Sequence, residues 1–312
     1  MSRAFRFLVG ARDRLYASGV LHTYRLNHPV ISIGNLTVGG TGKTPLVILL
    51  AEQFRDEGFR PVVLSRGYRR KGSGIVVVSS GKGPMVPWEV AGDEPFLIAR
   101  RAPGVSVVVG ADRYAAGRLA EEQNLGDLFI LDDGFQHRRL FRSVDLVTID
   151  PSEWMMGERL LPSGRWREPK EALQRANAAI VQESDPPLLE FPIPAFAVRT
   201  LVDGIYKGSE PVGVQTLKNR QVTAFAGIAK PDRFFNALET LGIPLAHRIR
   251  FRDHHGYTEQ DIKTLPGEIR ITTEKDAVRL DGLGVGNFLH LRISVNILEF
   301  DRLLELIRGR LH

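Results

Sequence analysis

The sequence predicts an α/β protein: a mainly parallel sheet with helices on both faces, plus a second, smaller α/β lobe. Three observations carry this. Short apolar runs alternate with helical patterns over residues 1–150. Several of these runs, such as Leu128-Phe129-Ile130-Leu131, are apolar almost throughout, as strands covered on both faces are. A glycine-rich loop joins the first such run to the first long helical pattern.

In chain order, a strand at 30–33 ends in Gly34, and a helix at 44–57 is stopped by Gly58. Strands follow at 61–64 and 75–78, a short helix at 95–101, a strand at 105–109 and a helix at 113–123. Strands at 128–131 and 144–149 complete this half. Residues 151–169 are irregular and rich in Trp, Arg and Gly. Ser184-Asp185-Pro186-Pro187 and Pro192-Ile193-Pro194 read as a linker, because proline clusters end regular structure. The expected domains are therefore 1–185 and 186–312, the second closing over a ligand cleft of the first. That second lobe carries strands at 222–225, 269–272 and 289–295, a helix at 232–241 and a closing helix at 298–308.

The 312 residues include no cysteine. That excludes a disulfide scaffold, a thiol nucleophile and a Cys-ligated metal. A formal charge of +6 points to a phosphate-bearing partner: nucleic acid, an anionic membrane or a small phosphorylated substrate. Arginine outnumbers lysine 33 to 9. Residues 1–28 hold Arg3, Arg6, Arg12, Arg14 and Arg25 against Asp13 alone. At helical spacing Phe5, Leu8, Val9, Leu15 and Tyr16 share a face, with Arg3, Arg6, Asp13 and Arg14 opposite and Arg12 intruding. Such a basic amphipathic helix lies on an anionic membrane surface or packs on its own domain; both readings stand. The segment is not a secretory signal, since Arg12-Asp13-Arg14 breaks a short apolar run. No stretch is long and apolar enough for a membrane span.

The strongest motif is Gly34-Asn35-Leu36-Thr37-Val38-Gly39-Gly40-Thr41-Gly42-Lys43-Thr44. Between a strand and a helix it reads as a phosphate-binding P-loop. Backbone N–H groups of Thr37 to Thr44 would face phosphate oxygens, aided by the helix dipole. Lys43 would reach the β- and γ-phosphates of ATP, and the Thr44 hydroxyl would hold Mg²⁺. The strict pattern has glycine where this chain has Thr37, and the Gly-Gly-x-Gly-Lys-Thr loops of partition-type ATPases carry a signature lysine where it has Val38. Leu128 to Leu131 leads into Asp132-Asp133, a strand ending in two metal-binding carboxylates. Gly134-Phe135-Gln136-His137-Arg138 continues at the same sheet edge.

Taken with Ser65-Arg66-Gly67-Tyr68, Gly92-Asp93-Glu94-Pro95, Arg167-Glu168-Pro169, Asp253-His254-His255 and Thr273-Glu274-Lys275-Asp276, these motifs resemble the tetraacyldisaccharide 4'-kinase family of lipid A biosynthesis. The resemblance implies a P-loop kinase. It would transfer the γ-phosphate of ATP to the 4'-hydroxyl of an acylated glucosamine disaccharide 1-phosphate, giving lipid IVA. It also implies Mg²⁺ and a peripheral place at the cytoplasmic face of the bacterial inner membrane. No obligate protein partner is evident.

Asp93 reads by itself as a helix N-cap with Pro95 in the first turn. The resemblance makes it the general base that takes the proton of the sugar hydroxyl. His254 would partner it, with His255 the alternative register. Taken alone, that pair reads as surface polar residues. Arg66, Arg113, Arg138 and Arg167 suit clamps on ATP or on the substrate 1-phosphate, with Gln136 and His137 beside them, though each also reads as an ordinary surface group. Glu168 would assist the metal through water. Thr273 reads as a helix cap with Asp276 at the third helical position.

Two other classes remain. A nucleotide-switched ATPase would need the loop lysine replaced here by Val38. A nucleic-acid binder would need basic and aromatic residues interleaved across a surface, a pattern confined to residues 65–71.

Overall fold

The computed structural model describes residues 2–40, 42–183, 190–284 and 288–311. Thr41 of the loop motif and the linker stretch 184–187 lie outside the described residues. The chain forms two compact units, Met1–Thr200 with Val295–His312, and Leu201–Ser294.

The first unit opens with α1 (Ser2–Ala17), then β1 (Val30–Asn35), α2 (Lys43–Asp56), β2 (Pro61–Ser65) and β3 (Val76–Ser80). Next come α3 (Trp88–Ala91), α4 (Asp93–Arg101), β4 (Ser106–Val109), α5 (Arg113–Glu122), β5 (Leu128–Asp132) and β6 (Val144–Ile149). They are followed by α6 (Pro151–Met155), β7 (Ala178–Gln182) and the first half of β8 (Ala195–Lys207). The strand order is β8-β7-β6-β1-β5-β2-β4-β3. All neighbours pair parallel except β3, which runs antiparallel to β4.

Every residue of β1, β2, β4, β5 and β6 is buried. Alternate side chains go to opposite faces. Ile31, Ile33 and Val63 meet Leu46, Leu50 and Phe54 of α2 in one cluster. Val30, Val62 and Leu64 join Ala116 and Ala120 of α5 in another. The two-sided cover expected from the apolar runs is thus the observed architecture. After β1 the chain goes to β2 on one side, and after β6 to β7 on the other. The loops beyond the carboxyl ends at such a reversal are where open α/β sheets take ligands.

The second unit holds the rest of β8, β9 (Glu210–Val212), β10 (Val222–Ala226), α7 (Pro231–Thr240), β11 (Leu245–Arg250), α8 (Glu259–Lys263), β12 (Ile269–Thr273), α9 (Glu274–Leu280) and most of β13 (Phe288–Ile297). Strands β11-β10-β12-β13 pair parallel in that order, β8 follows β13, and β9 pairs antiparallel with β8. Phe234, Phe235 and Leu238 of α7 pack on Val222, Ala224 and Ile271. The final helix α10 (Phe300–Arg308) returns to the first unit. There Arg308 holds Glu57, at the end of α2, at 2.6 Å.

No described helix is long and apolar enough to cross a membrane. Helix α1 divides its apolar residues rather than presenting one face. Phe5 packs beside Leu36, Phe135 and Trp166, and Val9 is buried. Phe7 and Leu8 stay 70% and 64% exposed, and Leu15 is exposed too. The inner side is instead completed by ions: Arg12 bonds Glu168 at 2.6 Å, and Asp13 meets Arg138 at 2.8 Å and Arg175 at 3.0 Å.

Candidate active site

The loop after β1 is shaped from both ends. Gly42 caps α2 with φ 76°, a left-handed conformation that costs glycine little. It puts the amino end of α2 and Lys43 against the end of β5. From the other side residues 165–167 pair with the loop backbone. The Val38 N–H donates to the Arg165 carbonyl at 2.7 Å, and the Arg167 N–H to the Leu36 carbonyl at 2.7 Å. The Arg165 guanidinium also donates to the Val38 carbonyl at 2.6 Å. This brace was not anticipated from the sequence.

The two carboxylates after β5 diverge because Asp133 takes φ 55°, which Asp tolerates better than most residues. Asp133 meets Lys43 Nζ at 3.2 Å and Arg167 at 2.7 Å. Burial alone would raise its pKa, but Lys43 and Arg167 outweigh burial and hold the carboxyl down at about 2. Asp132 accepts from the Ser65 hydroxyl at 3.0 Å. Burial, then the charges of Glu94 and Asp133, push it up to about 7. Its Oδ1 is buried with no hydrogen-bond partner among the described residues.

Asp132 is thus left without a compensating cation among the described residues, while Asp133 beside it has two. An orphaned buried carboxylate oxygen beside a phosphate loop fits a hard divalent cation. No cluster of three or more His, Asp or Glu suited to a metal occurs among the described residues. The carboxylates of Asp132 and Asp133 and the Thr44 hydroxyl are donors of the type taken by Mg²⁺, which is commonly bound by one or two carboxylates plus substrate phosphates.

Asp93 opens α4 and is buried. The cap expected at Asp93 falls on Gly92 (φ 92°, ψ 150°). A Cβ there would sit 3.1 Å from Gly67 Cα, so glycine lets the Arg66 and Asp93 loops meet back to back. Asp93 is the first helical residue, and its Oδ1 accepts the Glu94 N–H at 2.9 Å. A carboxylate there is favoured by the positive end of the helix.

The other candidates separate by role. Gln136 donates to the Asn35 carbonyl at 2.9 Å and accepts from Arg167 at 3.3 Å, so it belongs to the Lys43–Asp133 cluster. Arg113 is buried and donates to the Ala111 carbonyl at 2.8 Å. Its pKa is lowered by burial, with Asp133 opposing and Arg66 adding to the shift. Arg66 itself is exposed at the end of β2. His137 is lowered to about 4 by burial, then by Arg113, so the ring is neutral at pH 7. Arg138 is committed to Asp13 of α1. Glu168, expected near the metal, has both oxygens taken by Arg12 and Arg175 and is fully buried; it anchors α1.

His254 lies in the second unit, in the turn after β11, with φ 56°. Its N–H donates to the Gly227 carbonyl at 3.0 Å. His255 is committed to packing: its ring stacks on Phe251 at 4.7 Å, and Nε2 lies 3.2 Å from Asp261. Thr273 caps α9 as expected, accepting the Asp276 N–H at 3.1 Å.

The sequence model of the family described as tetraacyldisaccharide-1-P 4'-kinase matches residues 1–312. A tetraacyldisaccharide 4'-kinase of Aquifex aeolicus is 39% identical over 309 residues, covering 98% of this chain and 96% of that protein. One from Geobacter metallireducens is 40% identical over 293 residues, covering 90% and 87%. A crystal structure of the "apo" form of the Aquifex aeolicus LpxK in complex with ATP superposes with a TM-score of 0.88 at 38% identity, covering 100% of this chain and 97% of that one.

Proposed function

The chain belongs to the tetraacyldisaccharide 4'-kinase family, and from that membership we propose roles for its residues in an ATP-dependent phosphoryl transfer. The reaction itself is the 4'-phosphorylation of tetraacyldisaccharide 1-phosphate in lipid A biosynthesis. The observation that carries the assignment is the Lys43–Asp133–Arg167 cluster beside the β1 loop.

Backbone N–H groups of the loop from Gly39 to Thr44, with Thr37, cradle the ATP phosphates, whereas the Val38 N–H is spent on the Arg165 carbonyl and Val38 serves to brace the loop. Lys43 exchanges Asp133 for the β- and γ-phosphates. Asp133 thus keeps the ammonium in place beforehand, so less ordering remains to be done on binding. Thr44, Asp132 and Asp133 would hold Mg²⁺, which neutralises charge on the phosphates when bound. Arg167, Arg113 and Arg66 bind phosphate oxygens, on ATP or on the 1-phosphate. Gln136 and the neutral His137 offer uncharged polar contacts at the same sheet edge.

Asp93 accepts the proton of the 4'-hydroxyl, helped by burial that shields it from water. We assign His254 to the same proton-transfer step on its sequence motif; the packing of His255 supports choosing His254. The split apolar surface of α1 supports a peripheral contact with an anionic membrane, through exposed Phe7 and Leu8 and the basic residues of 1–28. Placement at the cytoplasmic face of the inner membrane follows from that contact and from the substrate.

A phosphotransfer assay with labelled ATP tests the reading. Label should enter the acylated disaccharide 1-phosphate and not the same compound with its 4'-hydroxyl blocked. Equal labelling of both would overturn it.

A further inference from the structure

The Thr273-Glu274-Lys275-Asp276 segment has no part in the roles above, yet it lies at the centre of a buried polar network. Asp276 has no solvent exposure. One of its oxygens accepts the Gly227 N–H at 3.0 Å and the Thr273 hydroxyl at 2.7 Å. The other accepts from Arg279 at 2.8 Å. The same Arg279 nitrogen donates to the Gly227 carbonyl at 3.0 Å. That carbonyl is also the acceptor for the His254 N–H.

Gly227 follows β10, His254 follows β11, and Asp276 lies in α9 after β12. Three loops at one edge of the second unit's sheet are therefore tied at a single glycine. The space around it is closed, since a Cβ on Gly227 would meet the Tyr257 hydroxyl at 3.0 Å and the Arg252 carbonyl at 3.1 Å. His254 needs such a tie. Its φ of 56° is a left-handed conformation that strains a residue with a Cβ, and it persists where surroundings enforce it. A helix cap alone would not require a buried charged pair: Thr273 already caps α9 through the Asp276 N–H.

We propose that Asp276 is a positioning residue that acts through Gly227 to fix the backbone from which His254 projects. The inference rests on His254 serving the transfer step. Replacing Asp276 by Asn keeps size and one acceptor but sets an N–H₂ against either Arg279 or the Gly227 N–H. The latch then holds Gly227 from one side only, and His254 is freed to leave its turn conformation.

The test is a double-mutant cycle on the full chain, measuring kcat and KM for ATP with Asp276→Asn, His254→Ala and both together. Asp276→Asn should lower kcat about tenfold and leave KM for ATP within twofold. In the His254→Ala background it should cost less than a further twofold. Its imidazole NMR signal for His254 should shift, while the signal of His255 should not. Gly227→Ala, which presses on the same peptide without removing a charge, should reproduce the kcat loss if Asp276→Asn folds poorly. Losses that multiply in the double variant, or full kcat in both Asp276→Asn and Gly227→Ala, would overturn the positioning role alone. Full activity in His254→Ala would overturn the assignment of His254, and this proposal with it.

Discussion

Lys43 Nζ lies 3.2 Å from Oδ1 of Asp133, and Arg167 lies 2.7 Å from the other oxygen of the same carboxylate. Two cations thus converge on one acid beside the loop after β1, and under the proposed roles each exchanges that carboxylate for phosphate. Lys43→Ala should lower kcat by roughly 10²–10³, the range for removing one group that meets developing charge. Steady-state kinetics decide this, and a kcat within threefold of the parent would remove Lys43 from the transfer step.

Asp93→Ala should separate binding from chemistry. Loss of a general base costs roughly 10²–10⁴ in rate, whereas the phosphate contacts assigned here lie on other residues. Calorimetric ATP affinity should stay within threefold while transfer falls by at least a hundredfold. An equal loss of ATP affinity would sink the assignment of Asp93 as base.

Asp132 is buried among acids, with Oδ1 unpartnered. Charge held there burdens the fold, so Asp132→Asn should melt at an equal or higher temperature. The Asn oxygen can still accept from Ser65. The Mg²⁺ concentration for half-maximal activity should rise about tenfold or more. A lower melting temperature with an unchanged Mg²⁺ requirement would make Asp132 a structural acid.

The proposed roles are unequally legible in the sequence. Lys43, Asp132 and Asp133 stand out because a phosphate loop and a strand-end acid pair have recognisable spacings. The brace formed by residues 165–167 does not, because its contacts run largely through backbone: Val38 to Arg165, and Arg167 to Leu36. Backbone pairing constrains conformation more than residue type. Strand β11 was hidden differently. Its Arg248 and Arg250 are spent on Glu239 and Asp232 of α7, so an edge strand reads as a charged loop. The proline-rich stretch suggested one boundary at 185/186, while the chain passes between the units within β8 and again within β13. A passage inside a continuous strand interrupts no strand pattern, and Gly204 of β8 lies beyond the first passage, not at it.

Removing residues 2–20 should weaken binding to vesicles containing anionic lipid, more at low salt than at high, since exposed charges are screened beyond about 8–10 Å at physiological salt. Phe7→Glu with Leu8→Glu should weaken binding while leaving the melting temperature within about 2 °C, because both side chains are exposed. Unchanged vesicle sedimentation in both proteins would leave α1 a packing element only.

Glu168 distinguishes an anchor from a metal assistant. Its side chain is fully buried, and Arg12 and Arg175 occupy its two oxygens. Removing one partner from a buried ion pair strands the other charges, at a cost of about 3–5 kcal/mol. Both arginines also contact Asp13, which softens the loss, so Glu168→Gln should destabilise by about 2–3 kcal/mol. The damage should be local. Arg12 would lose its hold on the body of the unit, and amide exchange in α1 should rise well before exchange in β1 or β5. Activity at saturating Mg²⁺ should survive below the melting transition, with the half-maximal Mg²⁺ concentration unchanged. A raised Mg²⁺ requirement with normal exchange in α1 would instead return Glu168 to the metal site.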